Sequence, residues 1–296
     1  MGIHPKNLLN DLTVKEWTKA RKSWFIQDGV EPEWNSKKQH PATFPAAVAE
    51  RFIKFFTRRG QTVLDPFVGS GSTIIAARQL GRNAIGIELY EHNIQLAVGI
   101  LDYYYPLLGG EFIHGDALKA MQNMVKRGKM VDYIIFSPPY CDTLKKSSGG
   151  ATTRHKERME EGLDIEYGDD KRDLGNMNLV GWTEAMIAVA RVGHELVPPG
   201  RYMTIIIQNE VRTDFVPLAW WLAIVIASNT PWVLKPEHIW CQDNKALTPT
   251  GHPKTFLTAN HHHYCLHFWK PGELEGERAE LDEPAVIHQA DAFDFF

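Results

Sequence analysis

Short apolar runs alternate with amphipathic helical patterns along residues 62–136, and this alternation constrains the fold more than any other feature. Strand-like runs lie at 62–64, 84–87, 112–113 and 131–136, and helical patterns lie between them at 72–80, 91–101 and 117–127. Strands that alternate with helices of this length form βαβ units and a parallel sheet. The chain is therefore predicted to be an α/β protein with a doubly wound, mostly parallel Rossmann-like sheet.

The remaining periodicity completes the predicted organisation. Helices are expected at 182–196 and 218–228, and strands at 202–207, 233–240 and 263–269, the last two as an antiparallel hairpin. This gives seven strands in one sheet.

Residues 1–39 are interpreted as a polar leader, 40–270 as the main domain and 271–296 as an acidic flexible tail. Within the domain, 141–179 is charged and Gly-rich, and is interpreted as a long mobile insertion of functional importance. Trp220 and Trp221 are expected in the core.

Composition narrows the class of protein. The net charge is −4, but the segment from Pro271 onward carries eight acids and one base, so the rest has a mild basic excess that neither supports nor excludes nucleic-acid binding. The longest apolar run, 215–227, contains Pro217 and is too short to span a bilayer. Three widely spaced cysteines fit reduced thiols. These features predict a soluble, cytoplasmic protein without a membrane segment.

Three signals for a cofactor follow successive predicted strands. The segment Asp65 to Ser72 contains Gly69 and Gly71, which allow a tight turn and close approach of the backbone to a ligand. Glu88 ends the second strand, where an acid can accept hydrogen bonds from a ribose diol. Asp116 follows the third strand and can receive an adenine amino group. A third glycine at the dinucleotide spacing is missing, which disfavours a pyrophosphate cofactor.

The segments 65–72 and 85–97 resemble motif I and the segment after it in the DNA N4-cytosine and N6-adenine methyltransferases, and 40–45 resembles their motif X. The resemblance implies S-adenosylmethionine as cofactor, with Thr43 to Pro45 at its methionine end, Phe67 to Gly71 at its centre, Glu88 at the ribose and Asp116 at the adenine. The full set of cofactor-binding residues that it implies is Thr43, Phe44, Pro45, Asp65, Phe67, Gly69, Ser70, Gly71, Glu88, Asp116 and Ala117.

The tetrapeptide Ser137-Pro138-Pro139-Tyr140 ends the fourth predicted strand at the same edge of the sheet. An exocyclic base amine is a poor nucleophile because its lone pair is delocalised, and acceptors such as the Ser137 oxygen and the Pro138 carbonyl would hold its N–H bonds. Tyr140 would stack on the base, which must leave the duplex to reach the site. In the family that these motifs resemble, Ser at the first position mostly marks cytosine N4 and Asp mostly marks adenine N6. The motif order is like the γ arrangement.

Two further regions are assigned to macromolecular partners. The insertion is the candidate for target recognition, and its bases that could contact DNA phosphate are Lys145, Lys146, Arg154, Lys156 and Arg158. A solvated mixed-charge loop is an equal alternative. The tail resembles a sliding-clamp (PIP-box) peptide, which implies a PCNA-like partner contacted by Gln289, Ala292, Phe295 and Phe296. The alternative is that these aromatic residues fold back onto the protein's own surface.

The sequence therefore predicts a cytosine-N4-specific DNA methyltransferase, of the kind found in restriction-modification systems. Two alternatives remain open: methylation of adenine N6 or of an exocyclic amine in RNA, and a non-catalytic clamp- or DNA-binding protein with the same fold. No metal is expected, because the run His261-His262-His263 has no Cys or carboxylate spacing to complete a site, and adjacent strand residues face opposite sides.

Overall fold

The structure is a computed structural model. It describes residues 2–33, 36, 40, 43–141, 170–211, 215–244 and 260–274. The helices in these residues are α1 Val14–Ala20, α2 Ala46–Phe56, α3 Ser72–Gln79, α4 Glu91–Tyr104, α5 Ala117–Lys126, α6 Leu179–Leu196 and α7 Leu218–Asn229. The strands are β1 Trp24–Ile26, β2 Thr62–Asp65, β3 Asn83–Glu88, β4 Glu111–His114, β5 Tyr133–Phe136, β6 Tyr202–Ile207, β7 Glu210–Val211, β8 Phe215–Val216, β9 Val233–Cys241 and β10 His262–Trp269.

One eight-stranded sheet organises the described residues, in the order β1-β9-β10-β6-β5-β2-β3-β4. The five strands from β6 to β4 run parallel, and β10 lies antiparallel between β6 and β9. The predicted doubly wound sheet with a C-terminal hairpin is confirmed. The predicted count of seven strands is wrong, because β1 from the N-terminal leader pairs in parallel with β9. This strand has only three residues and no alternation that sequence periodicity could detect.

Hydrophobic layers cover both faces of the sheet, as the apolar sequence of the parallel strands requires. All four residues of β5 are buried. On one face α2, α3 and α4 contribute a cluster that includes Phe52, Ile53, Ile75 and Ile100. On the other face α5, α6 and α7 contribute a cluster that includes Met121, Trp182, Met186 and Leu222. The two layers fix the strand ends from which the site is built.

The N-terminal leader is joined to the sheet by buried polar contacts. Asn10 is fully buried and its Nδ2 donates to the carbonyl of Phe55 at 2.6 Å. Glu33 is also fully buried and accepts a 2.7 Å hydrogen bond from Tyr105 Oη. Beside β1, the indole of Trp240 donates to a leader carbonyl, that of residue 27, at 2.7 Å. The leader in the described residues is thus part of the same packed body as the sheet.

A chain of buried hydrogen bonds also reaches the leader. Tyr133 Oη donates to Thr204 Oγ1 at 2.5 Å, and that hydroxyl lies 2.9 Å from His267 Nδ1. His267 Nε2 lies 2.8 Å from His238 Nδ1, and His238 Nε2 lies 3.1 Å from the carbonyl of Ala20. Because a carbonyl can only accept, His238 Nε2 must carry a hydrogen. With both rings neutral, His238 Nδ1 then accepts from His267 Nε2, and His267 Nδ1 accepts from the Thr204 hydroxyl. Burial lowers the pKa of both histidines, which keeps the rings neutral.

Helix α7 corrects one expectation. Trp220 and Trp221, expected in the core, are 49% and 46% exposed, whereas Leu222 and Ile226 are fully buried. The helix is apolar on all sides, so periodicity could not show which face would pack inward. Among the helices of the described ranges, none combines the length and apolar character needed to cross a bilayer.

Candidate active site at the carboxyl edge of the sheet

The loop between β2 and α3 turns sharply through two glycines. Gly69 has φ of +49° and Gly71 has φ of +85°, values that side chains other than glycine rarely adopt. A Cβ added at Gly69 would lie 3.0 Å from the ring of His40, and one added at Gly71 would lie 3.1 Å from the Cβ of Ala97. The loop is therefore packed tightly between the segment before α2 and helix α4.

Asp65 holds this loop from inside. Its Oδ1 accepts from the backbone N–H of Phe67 at 2.9 Å, and its Oδ2 accepts from Thr73 Oγ1 at 2.5 Å. The side chain is 1% exposed, and burial raises the pKa of Asp65 to about 7, against the opposing effect of its hydrogen bonds. Asp65 is thus a structural acid at the end of β2, directed into the turn.

Glu88, at the end of β3, connects the glycine loop to α4. Its Oε2 accepts from the N–H of Gly69 at 3.0 Å. Its Oε1 accepts from the N–H of Tyr90 at 3.0 Å and from Asn93 Nδ2 at 3.2 Å. The side chain is 8% exposed, and burial raises its pKa while these donors lower it. One carboxylate therefore fixes two neighbouring strand ends.

Asp116 and Ala117 lie where β4 leads into α5. Asp116 is the N-cap of that helix, and its Oδ1 accepts from the N–H of Lys119 at 2.9 Å. N-capping by Asp satisfies one of the donors that a helix start leaves unpaired. One carboxylate oxygen of Asp116, the residue predicted to bind adenine, therefore caps α5.

A cavity of about 260 Å³ lies between these strand ends. Its lining includes Phe67, Glu88, Tyr90, Asp116, Ala117 and Pro139 from the carboxyl ends of the strands and the segments that follow them. Helix α6 contributes Ala185 and Val189. The cavity thus joins the glycine-loop side of the sheet to the Ser-Pro-Pro-Tyr loop.

Residues 170–177, the described end of the predicted insertion, form part of this cavity. Lys171, Arg172, Asp173, Leu174 and Met177 line it. Tyr90 Oη donates to Asp173 Oδ2 at 2.8 Å, and burial raises the pKa of Tyr90. The described end of the segment predicted to be a target-recognition insertion therefore borders the same cavity as Glu88 and Asp116. The Asp173-Leu174-Gly175 sequence, in which the Asp173 carboxylate caps a short helical turn, is the signal that could have indicated structure here.

The described end of the motif X segment, Thr43 to Pro45, contacts the glycine loop. The hydroxyls of Thr43 and Ser70 are 2.7 Å apart. Ser72 Oγ donates to the carbonyl of Phe44 at 2.6 Å, and Pro45 is the N-cap of α2. The structure therefore brings Thr43 and Phe44 to Ser70 and Ser72 of the glycine loop and the start of α3.

The Ser137 to Tyr140 loop follows β5, which pairs with β2. Trp182 Nε1 donates to the carbonyl of Pro139 at 2.8 Å, and the N–H of Gln208 donates to Tyr140 Oη at 2.9 Å. No local sequence pattern marks Trp182 or Gln208 as part of the site. Ser137 is half-buried and Pro138 is buried. The loop is thus held by the helix and strand that follow it in the chain.

Other predicted contacts lie elsewhere. Outside the described residues are Lys145, Lys146, Arg154, Lys156 and Arg158 of the insertion, and Gln289, Ala292, Phe295 and Phe296 of the tail. His263 stacks on Trp240 with ring centroids 4.2 Å apart, a structural contact. A search limited to the described ranges finds no group of three or more His, Cys, Asp or Glu that could hold a metal ion.

Comparison with known proteins finds sequence matches to the first third of the chain. The family model described as DNA methylase (N6_N4_Mtase) matches residues 5–99. The type II methyltransferase M.BglI of Bacillus subtilis is 39% identical over 98 residues, which are 32% of this chain and 27% of that protein. M.ScaI of Streptomyces caespitosus is 42% identical over 77 residues, 26% of this chain and 25% of that protein. The chain thus spans about a quarter of the length of these relatives.

A structural similarity extends over more of the chain. The SAM-dependent methyltransferase from Agrobacterium tumefaciens aligns with 82% of this chain and 64% of its own, at 14% identity and a TM-score of 0.46. The matched residues include the described part of the motif X segment, the glycine loop and Glu88. Residues 5–99, about a third of the chain, are thus similar to the N6/N4 DNA methylase family and to these type II methyltransferases.

Proposed function

We propose that the protein is an S-adenosylmethionine-dependent DNA methyltransferase that methylates N4 of a cytosine extruded from the duplex. One observation carries the proposal: Glu88 of the cofactor side and Pro139 of the Ser-Pro-Pro-Tyr loop line the same cavity. A methyl donor and an amine acceptor must meet for direct transfer, and a shared cavity at the carboxyl edge of a doubly wound sheet provides that place.

The chemistry of the cavity fits the cofactor. The tight glycine loop brings backbone close to a ligand, and a side chain at Gly69 would meet His40. Glu88 supplies carboxylate oxygens for a ribose diol, and Asp116 supplies an acceptor for the adenine amine. Thr43, Phe44 and Pro45 would lie toward the methionine end, and Phe67 and Ala117 line the cavity. Buried Asp65, Ser70 and Gly71 would act by shaping the glycine loop. When bound, S-adenosylmethionine supplies an electrophilic methyl group on a sulfonium.

The protein's contribution to transfer is to prepare the amine. In this proposal Ser137 Oγ and the Pro138 carbonyl accept hydrogen bonds from the two N–H groups of the base amine. Holding them there favours a tetrahedral nitrogen whose lone pair is available for attack, and the departing proton passes to solvent. Tyr140 stacks on the base, and the Gln208 N–H fixes its hydroxyl and so its ring. The transfer is direct and requires neither a covalent enzyme intermediate nor a metal.

The target atom distinguishes this proposal from its alternatives. The family that residues 5–99 resemble covers both cytosine N4 and adenine N6 as targets. In this proposal Ser137, at the first position of the tetrapeptide, favours cytosine. Incubation with labelled cofactor and either duplex DNA or RNA, followed by digestion to nucleosides, identifies the product. We expect N4-methylcytosine from DNA. N6-methyladenine, a methylated RNA base or no transfer would each reject the cytosine proposal.

Replacement of Ser137 by Ala tests the assigned role of its hydroxyl. We expect a fall in kcat of about 100-fold, as when a single polar contact to the reacting group is removed from an active site. The dissociation constant of S-adenosylmethionine, measured by calorimetry, should change by less than about twofold, or less than roughly 0.5 kcal/mol. Ser228→Ala, at an exposed site near the end of α7, is the matched control. Wild-type kcat in Ser137→Ala would reject the role.

A further inference from the structure

Two of the four residues in the Ser137 to Tyr140 loop lack a backbone N–H. Pro138 and Pro139 have no N–H, so at these positions the loop can be fixed only through its carbonyls. Trp182 Nε1 donates to the Pro139 carbonyl at 2.8 Å. The indole belongs to a fully buried side chain, and hydrogen bonds from buried groups are costly to lose. The contact therefore fixes the loop at the residue after the proposed Pro138 acceptor.

The helix that carries Trp182 also borders the cofactor cavity. Ala185 and Val189 of α6 line the cavity, three and seven positions after Trp182. Residues at these spacings share one face of a helix. A single rigid helix face thus contacts both the loop for the acceptor amine and the space for the methyl donor.

We propose that Trp182 is a positioning residue for methyl transfer. Its N–H holds the Pro139 carbonyl, and this sets the direction of the Pro138 carbonyl and of Ser137 Oγ relative to the cavity. The inference rests on the proposed function for its catalytic meaning. Its physical content, that the indole N–H orders the loop, stands independently of it.

Trp232, which lies between α7 and β9 and packs against the same helix α6, provides a matched comparison. It is 1% exposed, and its Nε1 donates to the carbonyl of Ala190 on α6 at 2.8 Å. Replacement of either tryptophan by Phe removes one buried indole and one hydrogen bond to a backbone carbonyl. Only one of these carbonyls belongs to the loop.

The experiment compares Trp182→Phe and Trp232→Phe in the full chain. We expect both variants to lose thermal stability and to keep affinity for S-adenosylmethionine. Only Trp182→Phe should lower kcat by about tenfold or more, with KM for DNA nearly unchanged, because a small misplacement of reacting groups is costly. Equal kcat in the two variants would overturn the inference. An inactive wild-type protein would instead reject the proposed function.

A second measurement isolates the hydrogen bond from packing and from activity. Replacing Trp182 by 3-benzothienylalanine keeps the ring volume and substitutes sulfur for the N–H, so the core is preserved even if the Phe variant does not fold. Amide hydrogen exchange at Tyr140 and Cys141, read by mass spectrometry, should accelerate in this protein. The same replacement at Trp232 should leave it unchanged. Unchanged exchange at Tyr140 and Cys141 in the Trp182 analogue would contradict the inference, whatever the activity.

Discussion

Glu88 has two roles: it stabilises the glycine loop, and it is the proposed ligand of the cofactor ribose. Its carboxylate receives three donors, from Gly69, Tyr90 and Asn93, so it shapes the glycine loop before any ligand is present. The same oxygens are the proposed partners of a ribose diol. Hydrogen bonds to a carboxylate are among the stronger ones in proteins. A change at this position should therefore affect ligand affinity through both routes.

We expect Glu88→Gln to weaken binding of S-adenosylmethionine by about tenfold or more, since a hydrogen bond to a charged group contributes roughly 1.5–3 kcal/mol. The Gln amide would also turn a donor toward a backbone N–H. Isothermal titration calorimetry gives the affinity. Glu91→Gln, three residues away and exposed, should bind like the wild type. Equal affinity in the two variants would show that Glu88 does not contact the cofactor.

Individual site residues could be predicted only where a local motif marks them. The residues of the glycine loop, Glu88 and Asp116 follow predicted strands, and their positions at one edge follow from parallel pairing. Tyr90 and Asp173 were missed because their hydrogen bond joins residues 83 positions apart. The contact of Trp182 with Pro139, 43 positions apart, has the same origin. Such contacts depend on how helices pack, which no local pattern encodes.

At the scale of helices and strands, periodicity predicted most of the sheet because its strands and helices are long and regular. Strand β6 was predicted at its observed bounds, and α7 within one residue of its end. Strand β1 was missed because it exists only through pairing with β9, more than 200 residues later in the chain. The inward face of α7 was assigned wrongly because an apolar sequence on every side carries no directional information.

The attachment of the leader to α2 should contribute measurably to stability. Asn10 also accepts from the N–H of Leu12 at 3.0 Å, and its Nδ2 is the donor to the Phe55 carbonyl. We expect Asn10→Ala to lower the free energy of unfolding by about 1–3 kcal/mol, because it leaves buried polar groups unsatisfied. Urea denaturation measures this change.

The control for this prediction is Asn229→Ala, at the exposed end of α7, where Nδ2 donates to the Val225 carbonyl at 2.8 Å. Its effect should stay within about 0.5 kcal/mol, as is usual for surface changes. An Asn10→Ala midpoint no lower than that of the control would mean that the leader is not held by this residue.

For the whole molecule, two kinds of buried group give opposite pH dependences. Neutral His267, whose pKa is well below its usual value, excludes a proton that the unfolded chain binds below about pH 6.5, so stability falls as pH decreases. Asp65, with its pKa raised to about 7, retains a proton that the unfolded chain loses near pH 4, so its contribution falls as pH rises between these values. Between about pH 4 and 6.5 the two contributions to the free energy of unfolding change in opposite directions with pH and partly cancel.

We expect His267→Gln to remove one of these slopes, since Gln can both donate and accept in the buried chain but does not titrate. Relative to wild type, the variant should gain up to about 1.4 kcal/mol of unfolding free energy per pH unit as pH falls from about 6.5 to 5. Denaturation curves at several pH values give the difference. His92→Gln, at an exposed site, is the control. A difference independent of pH would mean that His267 is not buried as a neutral ring.

The consecutive prolines of the loop after β5 have a consequence for base discrimination. Positions 138 and 139 offer carbonyl lone pairs and no hydrogens, and the indole of Trp182 already occupies the second of these carbonyls. Uracil and thymine carry a keto oxygen where cytosine carries its amine, so their lone pairs would oppose those of the loop. In the proposed site, the acceptor-only Pro138 carbonyl would therefore disfavour a deaminated cytosine by electrostatic repulsion before any chemistry begins.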